Sequence, residues 1–259
     1  HDFIDTAHPK YREAISKSKY KGLVQKGAVA TITQFSDIVF DPNGNLFTSD
    51  RLNHQIRKID TEGNVSTIAG TGDSDHYGDN GPALEAAFRD PNALASDSEG
   101  NIYIADTANN LIRKIDTNGI VTTFAGNGEH SDSGDGGPAL KASIRSMDDI
   151  EFNPAGELHI LGTNTHKVRK ITKDGKIMTV AGKGYAGFFG DGGSATKAML
   201  QNPAAISFDS KGNMYIADMG NNRIRKVDDQ GVITTFAGTG SFGWGRTGET
   251  VEIYLQNFP

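Results

Sequence analysis

Three carboxylates are the side chains of this sequence best suited to hold a cation: Asp37, Asp149 and Glu151. Carboxylate oxygens are the ligands that Ca²⁺ prefers, whereas Zn²⁺ favours histidine or cysteine. The chain has no cysteine, and no histidine pair with metal-binding spacing adjoins these residues. They predict a calcium site or, alternatively, the acid–base groups of a metal-dependent hydrolase or lyase. The plainer interpretation is drift in one unit of a repeated pattern.

A second set of candidates lies in glycine-rich segments that differ between the repeated units. One aligned column and its neighbours contain acidic and aromatic residues, namely His76, Asp132, Phe188, Trp244, Tyr185 and Phe242. Trp and Tyr dominate binding hot spots, and aromatic side chains beside acidic ones suit a protein or carbohydrate partner. We therefore predict a binding surface on this loop rim. The competing interpretation is that Phe188 packs against the next unit.

Two further sets of residues that recur at equivalent positions predict a structural role rather than a catalytic or binding role. The Gly-Asp-Gly segments around Asp79, Asp135 and Asp191 resemble calcium cradles, but Asp is also a turn former, and we assign these residues a structural role. An arginine recurs in the middle of one strand of every unit, at positions 57, 113, 169 and 225. The preceding strand ends with Asp50, Asp106 or Asp218 in three units, which predicts ion pairing within a hairpin.

Composition excludes several classes of function. The net charge of −6 argues against a general nucleic-acid surface, because phosphate binding requires clustered basic charge. No apolar stretch approaches the length of a membrane span. We find no nucleophile elbow, phosphate-binding loop or zinc-ligand spacing, so no catalytic set converges.

The elements that must position these residues repeat with a period of 56 residues. Gly70, Gly126, Gly182 and Gly238 follow this spacing without insertions. Within the second unit, runs of strand-forming residues near 93–96, 101–105, 111–115 and 120–124 are separated by turn residues. Four short strands per unit predict an antiparallel meander, and radial repetition of meanders predicts an all-β propeller.

We predict four four-stranded blades near residues 36–91, 92–147, 148–203 and 204–259. Residues 1–35 contain no further unit and are expected to form a helical or extended segment that packs on the ring. We expect the four blades to close a ring. The alternative is an arc of a longer propeller.

Four repeated motifs resemble those of the NHL-repeat family: Asn101–Asp106, Asn109–Lys114, Phe124–Gly128 and Gly134–Ala139. The resemblance is to the long-repeat branch of the family, which includes bacterial secreted and surface proteins and the teneurin propeller. The resemblance covers about residues 33–259 and implies an interaction module in an extracellular, cell-surface or periplasmic location. Propellers of this family usually have about six blades, so four copies depart from the norm. The zinc-binding histidine trio of the amidating lyase that shares this fold has no counterpart here.

In a propeller the inner strand of each blade lines the central channel. Because side chains alternate along a strand, Ile150 facing the core places Asp149 and Glu151 towards the axis, and Asp37 is equivalent. The expected function is a non-enzymatic binding or scaffold module that engages its partner through the loop faces. The alternative is the metal-dependent enzyme with its site in the channel.

Overall fold

The computed structural model describes residues 34–241, which form four antiparallel sheets arranged as propeller blades. The first sheet contains β1 (Phe35–Phe40), β2 (Leu46–Asp50), β3 (Gln55–Ile59) and β4 (Val65–Ala69). The second contains β5 (Gly81–Pro82), β6 (Pro91–Ser96), β7 (Ile102–Asp106), β8 (Leu111–Ile115) and β9 (Ile120–Ala125). The third contains β10 (Asp149–Phe152), β11 (Leu158–Gly162), β12 (Lys167–Ile171) and β13 (Ile177–Ala181). The fourth contains β14 (Gly193–Ser194), β15 (Ala205–Phe208), β16 (Met214–Asp218), β17 (Arg223–Val227) and β18 (Val232–Ala237).

Only short 3-10 turns interrupt the strands in the described part of the chain, which contains no α-helix. These turns comprise Arg51–Asn53, Ala83–Glu85, Thr107–Asn109, Ala139–Lys141, Ala195–Lys197 and Met219–Asn221. The predicted all-β propeller with four blades is confirmed, and the sheets recur at the predicted spacing.

Most of the tight hairpins are closed by one type of turn. The Asp97 carboxylate accepts hydrogen bonds from the N–H groups of Glu99 and Asn101, at 3.0 and 2.9 Å. Gly100 has a φ of 87°, in the left-handed region that glycine enters without steric cost. The same side-chain pattern recurs at Asp41, Asp60, Asp116, Asp209 and Asp228. The Asp-and-Gly punctuation of the sequence therefore marks the strand ends.

The core lies between consecutive sheets. Leu94 and Ile104 of the second sheet pack in one apolar cluster with Phe47 and Ile56 of the first. We call the side of a sheet that contacts the preceding sheet its front face, and the side that contacts the following sheet its back face. Equivalent clusters join the second sheet to the third and the third to the fourth. Each sheet therefore depends on the neighbouring sheet to bury its apolar side chains.

The described sheets form an open arc. Inner strand β1 packs on β6, β6 on β10 and β10 on β15, whereas β1 and β15 do not pack on each other within residues 34–241. Ile38, on the front face of β1, is 61% exposed, while its equivalents Leu94, Ile150 and Ile206 are 3%, 2% and 5% exposed. The expectation of a closed four-blade ring is therefore wrong for this part of the chain.

Parts of two predictions lie outside the described residues. These are the packing of residues 1–33 on the blades and the end of the fourth blade beyond residue 241.

Candidate functional site

The long segments between sheets lie on one side of the arc, beside the hairpin that joins the second and third long strands of each sheet, such as β2 and β3. We call this side of the arc the loop face. It includes residues 70–90, 126–148 and 182–204. Each segment reaches over the next sheet, where Gly81–Pro82 and Gly193–Ser194 pair with the outermost strands β9 and β18. Variation in these loops therefore changes the junction between two blades.

The arginine column attaches each loop to the following sheet. Arg113, which is fully buried, pairs with Asp79 of the preceding unit at 2.7 Å, and Arg169–Asp135 and Arg225–Asp191 repeat this distance. Burial opposes ionisation of Asp135, but contacts with Thr179 and Arg169 outweigh it and lower the pKa of the carboxyl. The loop aspartates thus link neighbouring blades, in agreement with their predicted structural role.

The predicted hairpin ion pairs of the second and fourth sheets are present, but they are longer than the pairs with the loop aspartates. Arg113 lies 3.5 Å from Asp106, and Arg225 lies 3.3 Å from Asp218. Burial raises the pKa of Asp106 to about 6, although Asn109, the N–H of Arg89 and the charge of Arg113 favour the carboxylate. The arginine therefore connects its own hairpin and the preceding loop.

The first sheet lacks the loop aspartate. Arg57 donates to Gln55 and Thr67, and its buried Nε has no hydrogen-bond partner. The residue 56 positions before Asp79 is Leu23, which has no carboxylate. Among residues 34–241, Arg57 therefore forms no ion pair like those of Arg113, Arg169 and Arg225 with a loop aspartate.

A second set of contacts on the loop face differs from one unit to the next. In the third sheet Lys167 forms an ion pair with Asp132 of the preceding loop at 2.8 Å. In the fourth sheet the Arg223 guanidinium lies 3.9 Å from the centroid of the Phe188 ring. The equivalent pair in the second sheet is His76 with Leu111, which have neither opposite charges nor a stacking geometry. The interaction that fills this position elsewhere is therefore missing in the second sheet.

A groove of about 480 Å³ lies at the position of the missing pair. Its walls include His76, Arg89, Asn109, Leu111 and Thr123. The Asn109 amide donates to the backbone oxygen of Asp75 at 3.0 Å and to Asp106 at 2.9 Å, so it is held in place. Within residues 34–241 the Arg89 guanidinium makes no ion pair, and it is available to a ligand.

The acidic residues beside this groove are engaged locally. Asp73 accepts a hydrogen bond from the Tyr77 hydroxyl at 2.6 Å, and Asp75 accepts one from the N–H of His76 at 2.7 Å. The Tyr77 bond is the largest contribution to the lowered pKa of Asp73. The groove itself presents a guanidinium and an imidazole.

The predicted rim residues occupy different environments. Tyr185 is 65% exposed and projects from the loop face, whereas Phe188 stacks beneath Arg223 and Arg225 of the next sheet. Asp132 is held by Lys167 and Arg169. His76 alone among the predicted rim residues lines the groove. Phe242 and Trp244 lie outside the described residues.

The predicted channel carboxylates bridge neighbouring inner strands. Asp37 accepts a hydrogen bond from the N–H of Leu94 at 2.8 Å, and Asp149 accepts one from the N–H of Ile206 at 2.7 Å. Glu151 accepts a longer bond, 3.4 Å, from the Ser207 hydroxyl. All three side chains thus accept a hydrogen bond from the inner strand of the next sheet.

Burial, together with the charges of the neighbouring carboxylates, raises the pKa of Asp149 to about 6 and that of Glu151 to about 7. The pKa of Asp37 is also raised, again through burial. Among residues 34–241, no group of three or more His, Asp or Glu side chains has an arrangement that could hold a metal ion. The geometry therefore does not assemble Asp37, Asp149 and Glu151 into one ligand set, and the calcium site stays a prediction.

The groove residues other than His76, among them Arg89, Asn109 and Leu111, were absent from the predicted binding rim. The signal that identifies them is a comparison of two columns 35 positions apart. Charge or stacking complementarity is present for Asp132 with Lys167 and for Phe188 with Arg223, but is absent for His76 with Leu111.

The family model that describes the teneurin NHL domain matches residues 71–134 and 186–248. Teneurin-m of Drosophila melanogaster is 28% identical over 89% of this chain, and Teneurin-3 of Danio rerio is 31% identical over 69%. The chain belongs to the NHL-repeat β-propeller family. It spans 9% of the first relative and 7% of the second.

Solved propellers show the same fold. An auxiliary nutrient binding protein from Bacteroides ovatus superimposes with a TM-score of 0.58 at 18% identity, over 81% of this chain and 48% of that protein. A virginiamycin B lyase from Staphylococcus aureus gives 0.52 at 18% identity, over 80% and 56%. The described arc thus matches about half of each propeller. The described residues contain no helix with the length and apolar character needed to cross a membrane.

Proposed function

We propose that this chain is a non-enzymatic binding module whose loop face engages a protein partner, with the groove of the second sheet receiving an acidic side chain of that partner. The observation that carries the proposal is the open groove at the one described junction where the loop-to-sheet pair is missing. The partner would meet the module outside the cytoplasm, as in the secreted and surface proteins that the repeats resemble.

The chemistry of the groove favours a carboxylate. Arg89 presents a planar set of N–H donors that matches a carboxylate, and His76 adds a ring nitrogen. Leu111 supplies an apolar wall against which the methylenes of a glutamate side chain can pack. The exposed Tyr185, two sheets further along the same face, would extend the contact.

The proposal is tested by NMR titration of the ¹⁵N-labelled chain with three probes: an acetylated, amidated Gly-Glu-Gly peptide, its Gly-Gln-Gly twin and a neutral oligosaccharide. We expect the glutamate peptide alone to shift the amide signals of His76, Arg89 and Asn109, and Arg89→Gln to remove the response. Equal responses to both peptides would exclude carboxylate recognition. A response to the oligosaccharide alone would indicate that the partner is a carbohydrate and not a protein.

A second candidate function is a metal-dependent hydrolase or lyase. The observation in its favour is Glu151, whose pKa of about 7 suits a group that exchanges protons at neutral pH. If Ca²⁺ serves this site, it should raise the melting temperature, EDTA should reverse the increase and Glu151→Gln should reduce it. No response to Ca²⁺ would leave the calcium-dependent alternative without support.

A further inference from the structure

A second groove lies between the second and third sheets, on the side of the arc opposite the loop face, and we call it the turn-side groove. Its volume is about 750 Å³, which is a size typical of pockets that hold small organic molecules. The turn after β6 forms one wall, and the turns after β10 and β12 form the other. Tyr103, Phe124 and Phe152 line the groove between these walls.

Three aromatic rings meet at this junction, unlike at the other two described junctions. The Tyr103 ring lies edge-on to Phe124 and to Phe152, with ring centroids 4.9 Å apart in both pairs. Phe124 and Phe152 are only partly buried, so an apolar ring of a ligand can pack against them. The equivalent positions contain Phe47, Ile68 and Ser96 between the first and second sheets, and His159, Val180 and Phe208 between the third and fourth.

The third-sheet wall lacks the carboxylates that close the same turns in the other sheets, because Asn153 and Thr172 replace them. The equivalent residues are Asp41, Asp97 and Asp209 for Asn153, and Asp60, Asp116 and Asp228 for Thr172. In the turn after β10 the carboxylate is instead on Glu157, which accepts a hydrogen bond from the Asn153 amide at 3.2 Å and pairs with Lys170 at 2.8 Å. An anion at this wall therefore meets less negative charge than it would at the equivalent turns.

Two ammonium groups line the groove, Lys114 from the second sheet and Lys173 from the third. The Lys114 ammonium lies 5.6 Å from the centroid of the Tyr103 ring, and neither lysine forms an ion pair with another of the described residues 34–241. Asp174, which adjoins Lys173 in the chain, pairs with Lys176 at 2.8 Å. Both ammonium groups are thus available to an anionic ligand.

The carboxylates of the second-sheet wall are used by their own turn. Asp97 accepts hydrogen bonds from the Asn101 amide at 2.7 Å and from the Tyr103 hydroxyl at 3.1 Å, in addition to the N–H groups that close the turn. Glu99 accepts a bond from the same Asn101 amide at 3.3 Å. A ligand carboxylate is therefore expected on the side of the groove formed by the third sheet.

We propose that the turn-side groove binds a small aromatic carboxylate. The ring of the ligand packs against Phe124 and Phe152, and its carboxylate pairs with Lys114 and Lys173. Neutral rings lack the group that the ammonium groups bind, and a carboxylate without a ring leaves the apolar surface uncovered. The site shares no residue with the loop-face groove, so it is independent of the proposed function.

The test is NMR titration of the ¹⁵N-labelled chain with three probes: 3-phenylpropionate, its neutral twin 3-phenylpropanamide, and acetate. We expect 3-phenylpropionate alone to produce a saturable shift of the amide signals of Ser98, Gly156 and Lys173. These residues lie on both walls of the groove, so their common response locates the ligand between the second and third sheets.

Two variants separate the contributions of charge and ring. Lys173→Thr introduces the residue of the first two units and should weaken binding about fivefold, the effect of losing one exposed ion pair. Phe124→Val introduces the residue of the third unit and should abolish the response. Lys211→Thr removes an exposed lysine from the turn after β15 and is the matched control, which should bind like the parent. Melting temperatures check that each variant is folded, and Lys114→Gln replaces Phe124→Val if the latter is not.

The absence of a saturable response to 3-phenylpropionate at about 10 mM would overturn the proposal. So would equal responses to 3-phenylpropionate and its amide, or equal affinities of the Lys173→Thr and Lys211→Thr variants. Shifts confined to His76 and Arg89 would place the probe in the loop-face groove and would overturn this proposal while supporting carboxylate binding there.

Discussion

The carboxylate of Asp37 accepts a hydrogen bond from the backbone N–H of Leu94 in the next sheet, at 2.8 Å. Asp149 makes the equivalent bond to Ile206, two sheets further along the arc. The other two positions in this column are Ala93 and Ala205, whose side chains cannot accept such a bond. Buried acidic side chains at the inner strands therefore serve first to join sheets, at the cost of keeping several carboxylates close together.

Loss of an interblade arginine should destabilise the chain according to its partners. Arg113→Met leaves the buried Asp106 and the loop residue Asp79 without their cation. Breaking a buried pair by removing one partner costs about 3–5 kcal/mol, because the remaining charge stays buried. We expect a loss of this order in the free energy of unfolding, measured by urea denaturation.

Arg57→Met is the matched control. Arg57 occupies the same column but has no loop aspartate, and its Nε is unsatisfied. The substitution should change the free energy of unfolding by less than about 1 kcal/mol, since apolar packing replaces a group with few polar contacts. Equal losses in the two variants would contradict the role assigned to the contact between units.

The ionisation of Glu151 should lower the stability of the chain as the pH rises from 5 to 8, a trend that His159 opposes below about pH 6.5. The folded pKa of Glu151, about 7, lies above its ordinary value of 4.5, so the folded state binds more protons than the unfolded state between these values. This stabilising contribution is complete below about pH 4.5 and is lost as the pH passes 7. Asp149, with a pKa of about 6, adds to the same trend.

Glu151→Gln removes one of these ionisations. We expect it to stabilise the chain at pH 8 by about 1 kcal/mol, after allowance for solvent screening of this partly exposed group, and to flatten the pH profile of the melting temperature. Glu62→Gln, on an exposed turn, is the control and should leave the profile unchanged. A profile that is unaltered by Glu151→Gln would show that Glu151 titrates normally.

His159 should make the chain sensitive to acid. Burial lowers its pKa to about 4, and the nearby charge of Lys170 lowers it further. The unfolded state therefore binds more protons between about pH 6.5 and 4, and stability declines as the pH falls through this range. His159→Phe, which introduces the residue of the first sheet, should reduce the loss of melting temperature between pH 7 and pH 4.5. The same acid sensitivity in the variant would assign it to other groups.

The sequence was sufficient to predict the sheets because every unit repeats the same turn chemistry. Asp97 and Gly100 define one turn, and their equivalents recur along the chain. The period also predicted a structural role for Asp79, although the partner expected for Arg113 was Asp106 alone. The stronger contact, to Asp79, requires the loop of one unit to cross the next sheet, which no single unit reveals.

Ring closure and the groove depend on relationships that a repeat pattern does not contain. The period identifies the unit but not the angle between consecutive units, so the exposure of Ile38 was not predictable. The groove depends on two residues from different units, His76 and Leu111, which come together only after the loop has docked. A comparison of column pairs, rather than single columns, is the step that would have identified it.

In the proposed function, the identity of one residue pair decides whether the loop face has a binding groove. The double variant His76→Asp with Leu111→Lys introduces the pair that forms an ion pair in the next unit, Asp132 with Lys167. The converse double variant, Asp132→His with Lys167→Leu, removes that pair. The melting temperature of the converse variant is measured first, to check that the protein is still folded.

The decisive measurement is the NMR titration with the glutamate peptide on both double variants. We predict that the first variant keeps its fold and no longer responds at Arg89, because the new ion pair fills the groove. The converse variant should gain a response at Arg145, the residue equivalent to Arg89. An unchanged response at Arg89 in the first variant, with no gain in the second, would show that this residue pair does not control binding in the groove.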